Sequence, residues 1–129
     1  MKNNPLISVV IPLYNKEKTI EQSLHSVLRQ KDCEFEIVVV DDGSTDNSVE
    51  QVKKINDTRV RLVSQKNGGP GAARNTGAKA AKGDWIVFLD ADDELLPNAL
   101  KSFAKAILAH PNIDIFDANK YILTGCLLY

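Results

Sequence analysis

The chain alternates between short apolar runs and longer amphipathic segments. The apolar runs are LISVVI, FEIVVV, VRLV, WIVFL and IDIF, at residues 6–11, 35–40, 60–63, 85–89 and 113–116. They are rich in valine and isoleucine and show little alternation between apolar and polar positions. This pattern is typical of strands that are buried on both faces of a parallel sheet, so it predicts five strands.

Four segments of helical length separate these runs, at residues 17–30, 45–55, 69–81 and 97–110. Asp46 is a suitable N-cap for the second segment, and Pro70 and Pro97 stand near the starts of the third and fourth. Strands and helices that alternate in this way predict an α/β fold, with an open, mostly parallel sheet and helices on both faces.

Composition narrows the class of protein but does not identify it. The 129 residues are 43% hydrophobic, which suits one globular domain over residues 1–129. The net charge is −1, so no basic surface points to nucleic acid or anionic lipid, and nucleic acid is not an expected partner. Cys33 and Cys126 lack a Cys-x-x-Cys spacing, and residues 6–11 are too short for a signal peptide or membrane span. We therefore expect a cytoplasmic protein, with peripheral association at the inner face of the membrane left open.

The carboxyl-terminal segment, ANKYILTGCLLY at residues 118–129, differs from the rest because it is apolar and ends without a polar stretch. Two interpretations follow. Either the chain is a fragment, truncated after the fifth strand, or this apolar end is covered by another chain in an oligomer.

Polar residues gather where the predicted strands end, and ligands of open parallel sheets bind at that edge. Tyr14 follows the first strand, DDGSTD (41–46) the second, SQKNGGPGAARN (64–75) the third and DADDE (90–94) the fourth. Each segment alone is explained by a turn, a helix cap or a surface arginine. Together they place several carboxylates near one another, which is unfavourable unless a cation is present.

The combination fits a nucleotide diphosphate with a divalent cation. Mg²⁺ and Mn²⁺ prefer carboxylate and phosphate oxygens. We expect the base to stack on Tyr14, a ring N–H to donate to Asp42, and the diphosphate to meet an ion held by the aspartates that follow the fourth strand.

Three longer segments carry a family resemblance. SVVIPLYNKEKTIEQSLHSVLRQ, FEIVVVDDGSTDNS and NGGPGAARNTGAKAAKGDWIVFLDADDELLP resemble, in order and spacing, the amino-terminal half of family 2 glycosyltransferases of the GT-A fold. The resemblance covers residues 6–117. It implies an enzyme of polysaccharide or cell-envelope biosynthesis that transfers a sugar from a nucleotide-diphosphate sugar to an acceptor hydroxyl. UDP is the favoured nucleotide, and the acceptor is a glycan, a lipid-linked molecule or another alcohol.

The resemblance also implies roles for individual residues. Pro12, Tyr14 and, more weakly, Glu17 correspond to a segment that contacts the nucleotide. Asp42 corresponds to the acid that accepts the uracil N3–H, and Arg74 to an arginine that approaches the base or the phosphates.

The metal-binding motif of the family, Asp-x-Asp, corresponds to Asp90-Ala91-Asp92. The resemblance implies that Asp90 faces the ribose or the waters of the metal and that Asp92 coordinates Mn²⁺ or Mg²⁺. The next two acids, Asp93 and Glu94, are expected instead to cap a helix that opens at Pro97.

Members of the family continue into an acceptor-binding half that supplies the general base, and this half is absent from the sequence. No catalytic residue is therefore assigned. We expect the chain to bind nucleotide and metal weakly and not to transfer sugar.

Three alternatives stay open. The first is a non-catalytic nucleotide-binding module or assembly subunit with the same half-fold. The second, a receiver-type signalling domain, would need an acidic pair after the first strand, where Pro12-Leu13-Tyr14 stands. The third, a sugar nucleotidyltransferase, would need a glycine-rich loop at the same place.

Overall fold

The computed structural model describes residues 4–114. Their secondary structure runs in chain order as β1 (Leu6–Leu13), α1 (Ile20–Leu28), β2 (Glu34–Asp41), α2 (Ser48–Lys53), β3 (Val60–Ser64), α3 (Pro70–Ala80), β4 (Trp85–Phe88) and α4 (Ala99–Ala109). Each of the first four predicted strands and all four predicted helices are present. The predicted strand at 113–116 runs beyond the described residues, and Cys126 and the apolar segment 118–129 lie outside them.

Residues 4–114 form a four-stranded parallel sheet with the order β3-β2-β1-β4. The chain moves outward from β1 through β2 to β3 and then returns to place β4 on the other side of β1. This reversal opens a crevice between the carboxyl ends of β1 and β4, which is where open α/β sheets bind ligands.

Helices cover both faces of the sheet, as the sequence predicts. One face packs against α1, α2 and α4 in a core that includes Leu24, Val27, Val52, Leu100 and Phe103 of the helices and Ile7, Val9 and Ile11 of β1. The other face receives α3, whose Ala73 packs with Val10 and two valines of β2. A Cβ atom on Gly77 would lie 2.2 Å from Cγ1 of Val10, so this close approach of α3 to the sheet requires glycine.

The first strand is longer than predicted. It continues through Pro12 to Leu13, although proline has no N–H for the ladder. The pairing of β1 with β4 ends at Val10↔Phe88, whereas the pairing with β2 continues to Leu13↔Asp41. The Val10 carbonyl accepts the N–H of Leu89 after β4, so Pro12, two residues further on, turns its nitrogen toward the same side, where the pairing has ended. The missing N–H therefore costs no ladder hydrogen bond.

The fourth strand departs from the prediction that it is buried on both faces. Ile86 is 36% exposed and Phe88 is 50% exposed. The reason is that β4 is an edge of the sheet formed by residues 4–114, and α3 packs over β1 and β2. An unbroken apolar run shows only that a strand is apolar, and the neighbouring elements decide which of its faces is covered.

Two helix starts also differ in detail. The N-cap position of α2 is Asn47, although the Asp46 carboxylate does accept the N–H of Ser48, at 2.9 Å. The last helix, α4, begins at Ala99 after Asn98, which has a φ of 68°, and not at Pro97. Within residues 4–114, no helix combines the length and the apolar character that crossing a membrane requires.

Candidate functional site

A cleft of about 560 Å³ lies at the carboxyl ends of the strands. Six of the residues singled out from the sequence line it: Pro12, Tyr14, Asp42, Arg74, Asp90 and Asp92. The lining is completed by Leu13, Lys16, Asn67, Gly69, Pro70, Ala73 and Ala91. The crevice expected from the strand order is therefore the place where these side chains meet.

The segment after β1 forms one side of the cleft and is fixed by the segment after β2. Tyr14 is 46% exposed, which leaves its ring accessible. The next residue, Asn15, has a φ of 51° and accepts N–H hydrogen bonds from Thr45 at 2.8 Å and Asp46 at 3.3 Å through its side-chain oxygen. Main-chain N–H groups of the segment after β2 therefore hold the turn that follows Tyr14.

Glu17 is the one predicted nucleotide-binding residue that the structure does not place in the cleft lining. Its carboxylate accepts the N–H of Asn47 at 3.2 Å, and its own N–H donates to Asp46 at 3.3 Å. Glu17 therefore joins the start of α2 to the segment after β1.

Asp42 lies just past the end of β2 and is 3% exposed. One carboxylate oxygen accepts hydrogen bonds from the Gln65 side chain at 2.9 Å and the Gly68 N–H at 2.8 Å. The other accepts the Gly69 N–H at 3.0 Å and the Asn67 side chain at 3.4 Å. The carboxylate thus holds the loop of residues 65–69, which we call the glycine loop.

These donors also determine the charge of Asp42. Burial raises the pKa of its carboxyl, but the hydrogen bonds from Gln65, Gly68 and Gly69 outweigh burial and bring the pKa below its ordinary value. The group is therefore ionised at neutral pH. A base N–H would have to share an oxygen that already has two donors, and the contact between Asp42 and the base stays a prediction.

Three carboxylates follow β4. One oxygen from each of Asp90, Asp92 and Asp93 lies within 4.8 Å of the others. Burial raises the pKa of Asp93, and the charges of Asp92 and Asp90 raise it further. The three convergent carboxylates offer hard oxygen donors, which suit Mg²⁺ or Mn²⁺.

The prediction that Asp93 and Glu94 cap the next helix is wrong, because α4 begins only at Ala99.

Hydroxyls of α1 and its N-cap hold the backbone of this acidic segment. The Thr19 hydroxyl donates to the Ala91 carbonyl at 3.0 Å, and the Ser23 hydroxyl lies within hydrogen-bond distance of the carbonyls of both Ala91 and Asp93. The N–H of Leu95 donates to the Ser26 hydroxyl at 2.9 Å. These contacts fix the path of the main chain without using the carboxylates.

Two basic side chains face the acids across the cleft. Nζ of Lys16 lies 3.4 Å from Oδ2 of Asp92, and a guanidinium nitrogen of Arg74 lies 3.6 Å from Oδ1 of Asp90. The sequence pointed to Arg74 but missed Lys16. The available signal was its place two residues after Tyr14, on the rim where the other candidates gather.

Comparison with known proteins gives a consistent result. The model of the family described as Glycosyl transferase family 2 matches residues 8–126. The succinoglycan biosynthesis protein ExoO of Rhizobium meliloti is 41% identical over 118 residues, which cover 86% of this chain and 34% of ExoO. The first three curated relatives are matched over only 26% to 41% of their own length.

Solved structures also resemble the chain. TarS 1-349 of S. aureus in complex with UDP-GlcNAc has a TM-score of 0.77 at 34% identity, over 87% of this chain and 37% of TarS 1-349. The mannosyltransferase PcManGT from Pyrobaculum calidifontis, in complex with GDP-Man and Mn²⁺, has a TM-score of 0.75 at 29% identity, over 81% of this chain and 32% of that chain. The expected GT-A-like fold is confirmed.

Proposed function

This chain belongs to glycosyl transferase family 2, and we propose that it binds the nucleotide-diphosphate sugar from which a glycosyltransferase takes its sugar. One observation carries the proposal. Six of the seven residues that the sequence assigns to nucleotide or metal line a single cleft at the ends of the strands. UDP is the proposed nucleotide, because TarS 1-349 has been solved with UDP-GlcNAc and resembles this chain over 87% of the chain's length.

The nucleoside end of the donor is proposed to lie between Tyr14 and the glycine loop. The Tyr14 ring is exposed at the mouth of the cleft and offers a face on which a base can stack. Asp42 and Asn67 line the same cleft and present polar atoms to the edge of the base. The Asp42 carboxylate is ionised and is fixed by four donors. It is therefore a suitable acceptor for a ring N–H, provided that the base approaches closely enough to share one of its oxygens.

The diphosphate is proposed to lie at the other end of the cleft, between Arg74 and the acids after β4. Asp92, with Asp90 beside it, would hold Mn²⁺ or Mg²⁺, since their oxygens converge and both side chains are exposed. The divalent cation, when bound, offsets the negative charge that develops on the leaving diphosphate. Arg74 adds a second positive group on the same side.

The sugar acceptor is proposed to be a hydroxyl compound, such as a glycan or a lipid-linked molecule. The general base that activates this hydroxyl is not assigned within residues 4–114. We expect this chain alone to bind the donor nucleotide without transferring the sugar. Transfer and acceptor choice are therefore proposed for the longer proteins that share this donor-binding half.

Calorimetric titration of the chain with UDP, with and without Mn²⁺, tests the proposal. We expect Mn²⁺ to tighten UDP binding by about tenfold or more, because a cation held by Asp92 and Asp90 would offset the negative charge of the diphosphate. Asp92→Asn should abolish this dependence on Mn²⁺. Glu50→Gln, which removes an exposed acid of α2, is the matched control and should retain it. Failure of the parent chain to bind UDP under either condition would contradict the proposal.

A further inference from the structure

Lys16 has a half-exposed side chain on a main chain that is held in place by hydrogen bonds. Its side chain is 45% exposed, whereas its N–H donates at 2.8 Å to the hydroxyl of Ser48, a fully buried residue. The preceding Asn15 is bound by main-chain donors after β2. The lysine stem therefore leaves the backbone from a fixed point at the rim of the cleft.

The ammonium group of Lys16 occupies the neighbourhood in which a cation would bind. It lies 3.4 Å from Oδ2 of Asp92, whose carboxylate is the proposed metal ligand. A divalent cation on Asp92 brings two further positive charges to that oxygen. Since both side chains are about half exposed, their ion pair is weak and can be exchanged.

The phosphates would lie within reach of the same ammonium. A cation held by Asp92 would draw the oxygens of the diphosphate to within about 4 Å of this carboxylate. Rotation of a flexible four-carbon stem covers such a distance without movement of the backbone. The ammonium is a compact point charge, which suits exchange between two anionic partners.

We propose that Lys16 is an exchangeable counter-ion, which pairs with Asp92 while no cation is bound there and pairs with the diphosphate of the donor once Asp92 holds its cation. This role rests on the proposed donor site. This role affects two affinities in opposite directions. Lys16 lowers the affinity for a cation that binds without nucleotide, because the two compete for Asp92. Lys16 raises the affinity for the nucleotide once the cation is bound. By linkage, Lys16 therefore strengthens the coupling between cation and nucleotide.

Replacement of Lys16 by methionine, which keeps an unbranched stem and removes the charge, separates these effects. We expect K16M to bind Mn²⁺ alone about two- to fivefold more tightly, as shown by the free Mn²⁺ signal in electron paramagnetic resonance. We also expect K16M to bind UDP at saturating Mn²⁺ about five- to tenfold more weakly, as measured by calorimetry.

Two further variants serve as controls. Lys18→Met removes an exposed lysine two residues away that is not among the residues lining the cleft, and it should change neither affinity. K16R, which keeps the positive charge, should restore most of the UDP affinity at saturating Mn²⁺. Urea unfolding of K16M should match the parent chain, since the substituted side chain is half exposed.

The proposal fails if K16M leaves the affinity for Mn²⁺ alone unchanged or lowers it, or if it leaves UDP affinity at saturating Mn²⁺ unchanged. Asp92→Asn distinguishes this failure from failure of the donor site. An Asp92→Asn chain that binds Mn²⁺ as tightly as the parent would overturn the cation site, and the role of Lys16 with it. Loss of Mn²⁺ binding in Asp92→Asn, without the opposite shifts in K16M, would overturn the role of Lys16 alone.

Discussion

The carboxylates that follow β2 and β4 line one cleft but are held in opposite ways. Asp42 is 3% exposed and accepts four hydrogen bonds from the glycine loop. The Asp92 side chain is 47% exposed and is paired with a lysine that is itself about half exposed. The difference teaches that the Asp42 carboxylate stabilises the fold in addition to the base contact proposed for it, whereas the Asp92 carboxylate is exposed and is proposed to exchange partners when a cation binds.

Asp42→Asn should have the largest effect on stability. The two N–H donors, from Gly68 and Gly69, bind different oxygens of Asp42, so the amide presents a weaker acceptor to one and an NH₂ group to the other, which leaves a buried donor unsatisfied. We expect the free energy of unfolding to fall by about 2–3 kcal/mol in urea titrations. Asp114→Asn, at an exposed position, is the control. A loss below about 0.5 kcal/mol for Asp42→Asn would mean that the glycine loop does not depend on this carboxylate.

Asp92→Asn should weaken cation binding and leave the stability of the fold almost unchanged. We expect the affinity for Mn²⁺ to fall about tenfold or more, which corresponds to about 1.4 kcal/mol, because a charged oxygen ligand is lost. The free energy of unfolding should stay within about 0.5 kcal/mol of the parent, since the side chain is exposed. Fluorescence-monitored urea unfolding beside Mn²⁺ titration checks both. A large loss of stability would show that the two carboxylates are not different in kind.

Acid titration sharpens the same contrast. Because hydrogen bonds hold the pKa of Asp42 below its ordinary value, the stability it contributes is present above about pH 3.9 and is lost as pH falls through the lowered pKa. The parent chain should therefore lose stability more steeply below about pH 4 than Asp42→Asn does. Urea midpoints measured at a series of pH values provide the comparison. Parallel curves for the two chains would contradict this assignment.

Asp93→Asn should have the smallest effect and the opposite direction. Its carboxylate shares a region with Asp90 and Asp92, so removal of one negative charge relieves repulsion. Without added metal, we expect the free energy of unfolding to rise by about 0.3 kcal/mol. Saturating Mn²⁺ should erase this gain, and a gain that persists with Mn²⁺ would argue against a shared cation.

The pattern of apolar runs was sufficient to predict the first four strands, the four helices and the sheet edge at which the cleft lies. The reason is that buried parallel strands and amphipathic helices leave strong local signals. The four donors to Asp42 left no such signal, because the closest of them, Gln65, stands 23 positions away in the chain. Which residues share this contact depends on how β3 is placed beside β2.

The direction of side chains after β1 was equally hidden. Lys16 and Glu17 are neighbours, yet one lines the cleft and the other accepts an N–H at the start of α2. The positive φ of Asn15 turns the chain just before them, and no propensity of either residue encodes that turn. A family resemblance assigns roles to positions, whereas the path of the backbone determines which of these side chains line the cleft.

The hydroxyls of Thr19, Ser23 and Ser26 have a consequence for how the site can change. They hold the main chain around Ala91 and Leu95 through contacts that do not use the side chains of residues 90 and 92. A histidine or asparagine there would project from the same frame. We therefore expect the main chain after β4 to keep its path when residues 90 and 92 are replaced, so that a change in the proposed cation preference needs no change in the fold beneath it.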